Sequence, residues 1–193
     1  MGMDNFREEV VVKRHQTMNQ LVYALSWIMI VLFGFFGIIQ LYAVLGTIGS
    51  GSFPWLGLLL ALVMIGLAVL LWLKKDTLRV EYEYTFTNGI LDVSQVLNNS
   101  KRKYLAEIPL SLVESCGSVN HPSFNRYLND KIIRKHNWFL NRDADLIYLY
   151  FVKNSVRHLA IIEPSKEMQD MMRMKNYLNF GVWQEIKNVN AGQ

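Results

Sequence analysis

Charged residues are missing from a long stretch near the start of the sequence. From His15 through Leu73 there is no Asp, Glu, Lys or Arg, and a break near residues 46–54 divides the stretch into two apolar runs. Each run is long enough to cross a bilayer core of roughly 30 Å. The sequence therefore predicts a multi-pass protein of the cell membrane with two spans, at about residues 21–45 and 55–73.

Cysteine is nearly absent, and the polar part of the chain has little excess charge of either sign. Cys116 is the only cysteine, which excludes an internal disulfide framework and fits a domain facing a reducing cytoplasm. A buried, inert thiol is favoured over a nucleophile, which would need a neighbouring base. Residues 76–193 carry 15 Lys and Arg and 13 Asp and Glu, too small an excess to indicate a nucleic-acid partner.

Positive charges flank the two spans on one side only. They precede the first span and follow the second, whereas the connection between the spans has none; the flanking cations are Lys13, Arg14, Lys74, Lys75 and Arg79. Because positively charged flanks stay in the cytoplasm, both termini are predicted to be cytoplasmic.

The chain is accordingly divided into three parts. Residues 1–15 are a cytoplasmic arm, expected to be helical from a cap at Asp4 or Asn5. Residues 16–75 form a transmembrane hairpin, and residues 76–193 form a cytoplasmic domain. Gly57 and Ala61 are spaced like the small residues that let two membrane helices approach closely.

The periodicity changes to two after Asp76 and predicts strands. Val80 to Thr87 alternates apolar and polar residues, and Asn88-Gly89 is a strong signal for a tight hairpin turn into a second strand. Further strands are predicted at 103–108, 110–119, 145–152 and 156–162, with a long loop that contains a helical turn over 120–144. A helix is expected from Pro164, with an apolar stripe through Met168, Met171 and Leu178.

Three runs in this region are similar to those of a known family. They are residues 84–93 (Tyr-Thr-Phe-Thr-Asn-Gly-Ile-Leu-Asp-Val), the basic turn before Tyr104-Leu105, and residues 161–168 (Ile-Ile-Glu-Pro-Ser-Lys-Glu-Met). Over residues 15–180 the chain resembles small bacterial membrane proteins of uncharacterised function that join a two-helix hairpin to a bacterial pleckstrin-homology-like domain. The resemblance implies an α+β membrane protein with an antiparallel β-barrel closed by a C-terminal amphipathic helix. It implies no catalytic residues.

Groups that could carry chemistry are few. Glu81 and Glu83 lie on one strand face. This spacing could pair two carboxylates for acid–base catalysis, but it is more typical of a solvent-exposed face. One cysteine and three histidines include the residue types of a zinc site without its spacing, and scattered surface histidines are favoured; they are Cys116, His121, His136 and His158. No P-loop, dinucleotide or nucleophile-elbow fingerprint occurs. The sequence therefore predicts no enzyme activity, no cofactor and no metal.

The interpretation that remains is a membrane-anchored, non-enzymatic binding or scaffolding module at the inner face of the membrane. It would recruit a protein partner, bind lipid headgroups or self-associate. The alternative is a subunit of a membrane-embedded enzyme or transport complex. That class normally has ionisable residues within its spans. Here, Gln40 is the only strongly polar side chain well inside either predicted span.

A basic turn is predicted to contact lipid headgroups. The first strand carries the chain roughly 25 Å away from Arg79, and the second strand returns it, so the turn Asn98-Asn99-Ser100 comes back toward the bilayer. The candidate headgroup contacts are Lys74, Lys75, Arg79, Lys101, Arg102 and Lys103. The alternative is an ordinary solvated hairpin tip.

Overall fold

Two long helices follow a short N-terminal strand in the computed structural model, which describes residues 5–47, 53–174 and 177–184. Helix α1 spans Thr17–Thr47 and helix α2 spans Trp55–Lys74. Both are long and apolar enough to span a membrane, and they pack against each other. The two predicted spans are therefore helical, whereas the middle of their connection, residues 48–52, lies outside the described part.

Small residues set the contact between α1 and α2. A Cβ atom added to Gly37 would lie 2.8 Å from Ile65 Cγ1, and one added to Gly57 would lie 3.1 Å from both Gln40 Nε2 and Val44 Cγ2. Ala61 is fully buried. The prediction that Gly57 and Ala61 face the other helix is confirmed. Gly37, which the sequence analysis did not single out, makes the closest approach.

The N-terminal arm is a strand, and the predicted helix is wrong. Strand β1 (Phe6–Val11) pairs antiparallel with β2 (Val80–Thr87), with Phe6 opposite Thr87 and Val11 opposite Tyr82. The side chains of β1 alternate between exposed and half-buried, which is the period of a strand. Backbone hydrogen bonds to the edge of β2 outweigh the weak local preference of the arm for a helix. Asp4, one of the two proposed caps, lies outside the described residues.

The first sheet has the order β1-β2-β3-β4, where β3 is Ile90–Leu97 and β4 is Lys101–Pro109. The predicted turn at Asn88-Gly89 is confirmed, since both residues have positive φ angles of 48° and 91°, as a two-residue hairpin turn requires. The inner face of this sheet buries Tyr84, Phe86 and Leu91 completely.

The second sheet contains one strand that was predicted to be loop, and the helical turn predicted in the same segment is helix α3 (Pro122–Leu128). Its order is β6-β8-β7-β5-β9, with β5 (Val113–Ser118), β6 (Arg134–Trp138), β7 (Ile147–Lys153), β8 (Val156–Ile162) and β9 (Trp183–Gln184). Within residues 120–144, helix α3 precedes β6, which pairs parallel to β8. A short 3-10 turn at Leu110–Leu112 replaces the start of the predicted fourth strand.

The C-terminal helix is shorter than predicted. Helix α4 spans Lys166–Met172, and Ser165 caps it by accepting a hydrogen bond from the Met168 N–H. Met168 and Met172 are fully buried, Met171 is half-buried, and Leu178 lies beyond the helix end. The apolar stripe therefore covers two turns. Pro164 stands before the cap instead of inside the first turn.

The chain is an α+β protein with two apolar helices and a β-rich part, as expected. Among the described strands, neither sheet closes on itself. The chain forms two compact units: one contains residues 1–14, 81–96 and 101–193, and the other contains residues 15–80 and 97–100. The arm thus belongs with the strands, whereas the β3–β4 turn belongs with the helices.

Candidate functional site

Six residues of the helical unit form a polar and aromatic group that we call the basal cluster: Tyr23, Trp27, Lys75, Asp76, Arg79 and Asn98. Tyr23 and Trp27 lie one turn apart on α1 and therefore share a face. The other members come from the chain just after α2 and from the β3–β4 turn. The cluster lies where α1 begins and α2 ends.

Lys75 and Asp76 form a buried ion pair within the cluster. Lys75 Nζ lies 3.0 Å from Asp76 Oδ1, and the two residues are only 9% and 7% exposed. The same ammonium lies 4.8 Å from the ring centroid of Trp27. Burying a charge is costly unless it is paired, so the carboxylate and the ring together compensate the ammonium. Lys75 is turned inward and presents little charge to its surroundings.

Arg79 and the β3–β4 turn complete the cluster. The Arg79 guanidinium stacks 3.9 Å from the Tyr23 ring centroid. The Asn98 backbone N–H donates to the Arg79 carbonyl at 2.7 Å, and the Asn98 side chain donates to Asp76 Oδ1 at 3.2 Å. The turn therefore lies against the chain just after α2, where the strand lengths had indicated that it would return.

The six cations named from the sequence are not presented alike. Three of them are exposed: Lys74, Lys101 and Lys103. Lys75 is buried, and the Arg79 guanidinium stacks on the Tyr23 ring. The Arg102 guanidinium lies 2.6 Å from Glu83 and 3.9 Å from Glu8, and the hydrogen bond to Glu83 raises the pKa of Arg102. Glu83 is thus engaged with an arginine.

The sequence analysis named Lys75 and Arg79 as candidate contacts and assigned no site to the other four members of the cluster. Asp76 was noted only as the residue after which the periodicity changes to two. Asn98 was noted only as a turn residue. The signal available was the aromatic pair one helical turn apart beside two flanking cations, which is a common arrangement at membrane interfaces.

The residue types of a zinc site are only partly brought together. His136 Nε2 and His158 Nδ1 lie 3.0 Å apart, whereas His121 Nδ1 accepts a hydrogen bond from Ser123 at the start of α3. Cys116 is fully buried, and burial raises its pKa to about 12. Within the described residues, no group of three or more His, Cys, Asp or Glu could hold a metal ion.

A family model described as a bacterial PH-like domain (DUF6106) matches residues 3–180. The chain belongs to this family. No curated protein and no solved structure matches it. The matched residues include β1, both helices and every described strand except β9. The resemblance noted from the residues is confirmed.

Proposed function

We propose that this PH-like protein is a membrane-anchored, non-enzymatic binding or scaffolding module that presents its β-rich unit at the inner face of the cell membrane. The observation that carries the proposal is the pairing of β1 with β2. Val11 lies opposite Tyr82 in one ladder, α1 begins at Thr17, and α2 ends at Lys74. Both connections are short, which favours exit of both helix ends on the same side of the bilayer.

Charge supports the inner face as that side. The cations that flank the helices are all at these two ends, and cationic flanks are retained in the cytoplasm. The basal cluster adds two aromatic rings, which favour the boundary between hydrocarbon and headgroups. The exposed Lys74, Lys101 and Lys103 would contact anionic headgroups, at about 1 kcal/mol per charge.

Binding is favoured over catalysis because of what the helices contain. Between residues 21 and 73, Gln40 is the only Asn, Gln or charged residue, and its amide lies close to Gly57. A subunit of an embedded enzyme or transporter would normally carry ionisable groups there.

The proposal includes a protein partner or a second copy of the chain, and closure of the two sheets into a barrel sealed by α4.

The topology test uses single cysteines and a membrane-impermeant thiol reagent in intact cells. Thr47→Cys, at the end of α1, is expected to react, and Lys131→Cys, in the β-rich unit, is expected to react only after the cells are lysed. The natural Cys116 is an internal control, since burial and its raised pKa slow its reaction. Labelling of the Lys131 site in intact cells would contradict presentation at the inner face.

The binding role is tested by purification of the full chain in mild detergent, followed by mass spectrometry. A stoichiometric protein partner or a defined self-assembly supports a scaffolding module. A co-purifying nucleotide or metal would favour the enzyme alternative instead.

A further inference from the structure

A cleft of about 410 Å³ lies within the β-rich unit, lined by residues of β4, β6, β7 and β8. We call it the histidine cleft. Four rings form a row along its wall, in the order Trp138, His136, His158 and Phe151. Neighbouring ring centroids are 4.7, 5.3 and 5.1 Å apart. Trp138 and Phe151 are buried, whereas the two imidazoles are half-buried.

The two histidines share one hydrogen bond, between His136 Nε2 and His158 Nδ1 at 3.0 Å. One proton occupies this bond, so each ring keeps one outer nitrogen, His136 Nδ1 and His158 Nε2. In the neutral pair, one outer nitrogen donates and the other accepts. After uptake of one proton both outer nitrogens donate, and the pair carries a positive charge.

The charged groups around the pair are mostly cationic. Arg134 on β6 is the register partner of His158, and Lys153 on β7 donates to the Glu107 carbonyl at 2.8 Å. From β4, the Glu107 side chain contributes one negative charge. Tyr104, which is 58% exposed, contributes a phenol whose pKa is raised to about 12 by partial desolvation and by its hydrogen bond to Asp92 at 2.9 Å. Two fixed cations thus face one carboxylate, and the tyrosine stays neutral.

This environment disfavours protonation of the two imidazoles. Burial lowers the pKa of both, helped by the partner imidazole at His136 and by Arg134 at His158. Bound negative charge would offset these contributions, because an opposite charge nearby favours the protonated form.

We propose that the histidine cleft binds an oxyanion, such as a phosphate group, between Arg134, Lys153 and the imidazole pair, with uptake of one proton. The anion accepts hydrogen bonds from the two cations and from the outer nitrogens of the protonated pair. A divalent cation fits poorly, because the facing nitrogens are joined by their own hydrogen bond and two cations lie close by. The site shares no residue with the basal cluster or with the headgroup contacts proposed above.

The proton linkage has a definite sign. A bound anion raises the pKa of the pair, so binding strengthens as the pH falls. If one proton is taken up per anion, the affinity rises by up to tenfold for each unit decrease in pH. Below the pKa of the free pair the affinity becomes constant.

The experiment uses the full chain with ring-labelled histidine in nanodiscs of zwitterionic lipid, observed by NMR. The probe is inorganic sulfate, whose charge does not change between pH 6 and pH 8. We expect saturable shifts of the His136 and His158 ring signals, tighter binding at pH 6, and little change at His15 and His121. A second arm replaces sulfate with phosphatidylglycerol in the nanodisc, so shifts seen there without sulfate identify a lipid phosphate as the occupant.

Matched variants separate this site from general charge effects. Arg134→Gln and Lys153→Gln should each weaken sulfate binding by about threefold to tenfold, since each removes one charge-assisted hydrogen bond at a partly solvated site. Arg126→Gln, an exposed cation on α3, should leave it unchanged. Equal affinity in Arg134→Gln and Arg126→Gln, pH-independent affinity, or no saturable shift in either arm would overturn the proposal.

Discussion

Tyr84 joins the two sheets through a single hydroxyl group. The residue lies on β2 and is fully buried. Its hydroxyl donates to the Trp138 carbonyl at the end of β6 and accepts from the Glu163 N–H at 3.2 Å, just after β8. The substitution Tyr84→Phe removes one oxygen and keeps the ring. Both backbone groups would lose this partner, at the buried Trp138 carbonyl and at the half-buried Glu163 N–H.

The expected loss of stability follows from those two groups. Leaving a buried donor or acceptor unsatisfied costs about 1 to 3 kcal/mol, and the two groups share one lost oxygen, so we expect about 2 to 3 kcal/mol in total. A domain has only about 5 to 15 kcal/mol of stability. At roughly 3 to 4 °C per kcal/mol for a unit of this size, Tm should fall by about 6 to 12 °C.

The measurement is thermal unfolding of the full chain in mild detergent, followed by near-UV circular dichroism. Tyr82→Phe is the matched control, because Tyr82 lies on the same strand and donates to the adjacent carbonyl, that of Asn137, over a longer 3.4 Å. That weaker bond should cost less than about 1 kcal/mol. Equal shifts for the two variants, or a Tyr84→Phe Tm within a degree or two of the parent, would refute the reasoning.

Two further predictions concern α4 and the basic turn. Met168→Asp places an unpaired charge in a dry site and should abolish the near-UV signal, whereas Met171→Asp, at a half-buried position, should retain it; equal loss would mean that the helix packs differently. A spin label at Ser100→Cys should be relaxed by a nickel-chelating lipid in anionic nanodiscs. Replacing Lys101 and Lys103 by Gln should weaken this effect, and relaxation insensitive to that replacement would mark an ordinary solvated turn.

Local signals in the sequence predicted most of the elements. The apolar runs gave both helices, and Asn88-Gly89 with alternating residues gave the β2–β3 hairpin, because these patterns depend on neighbours in the chain. Strand β1 could not be found in this way. Three charged residues in a row, Arg7 to Glu9, weaken its strand signal, and the strand with which it pairs, β2, lies about 70 to 80 residues away.

The candidate sites could likewise be predicted only where they depend on residues that are close together in the sequence. Strand lengths alone indicated that the Asn98 turn would return beside Arg79, whereas the stacking of Arg79 on Tyr23 depends on the packing of α1 against α2. The histidine pair was hidden because β6 was taken for loop. Once Arg134 is known to lie opposite His158, the alternation of a strand brings His136 to the same face.

The insertion of a helix pair between β1 and β2 links the two units energetically. Closing a flexible segment of about 70 residues costs about 4 kcal/mol by the logarithmic length dependence of loop entropy, a large share of a domain's stability. The helix pair already brings the ends of this segment close together, since the Asn19 side chain near the start of α1 donates to the Leu78 carbonyl beyond α2 at 3.1 Å. Much of the loop entropy is therefore lost when the helices pack. Only short connections then remain to be ordered when Val11 pairs with Tyr82. A fragment that began at Asp76 would lack β1 altogether and expose the edge of β2, so the β-rich unit depends on the chain that precedes the helices.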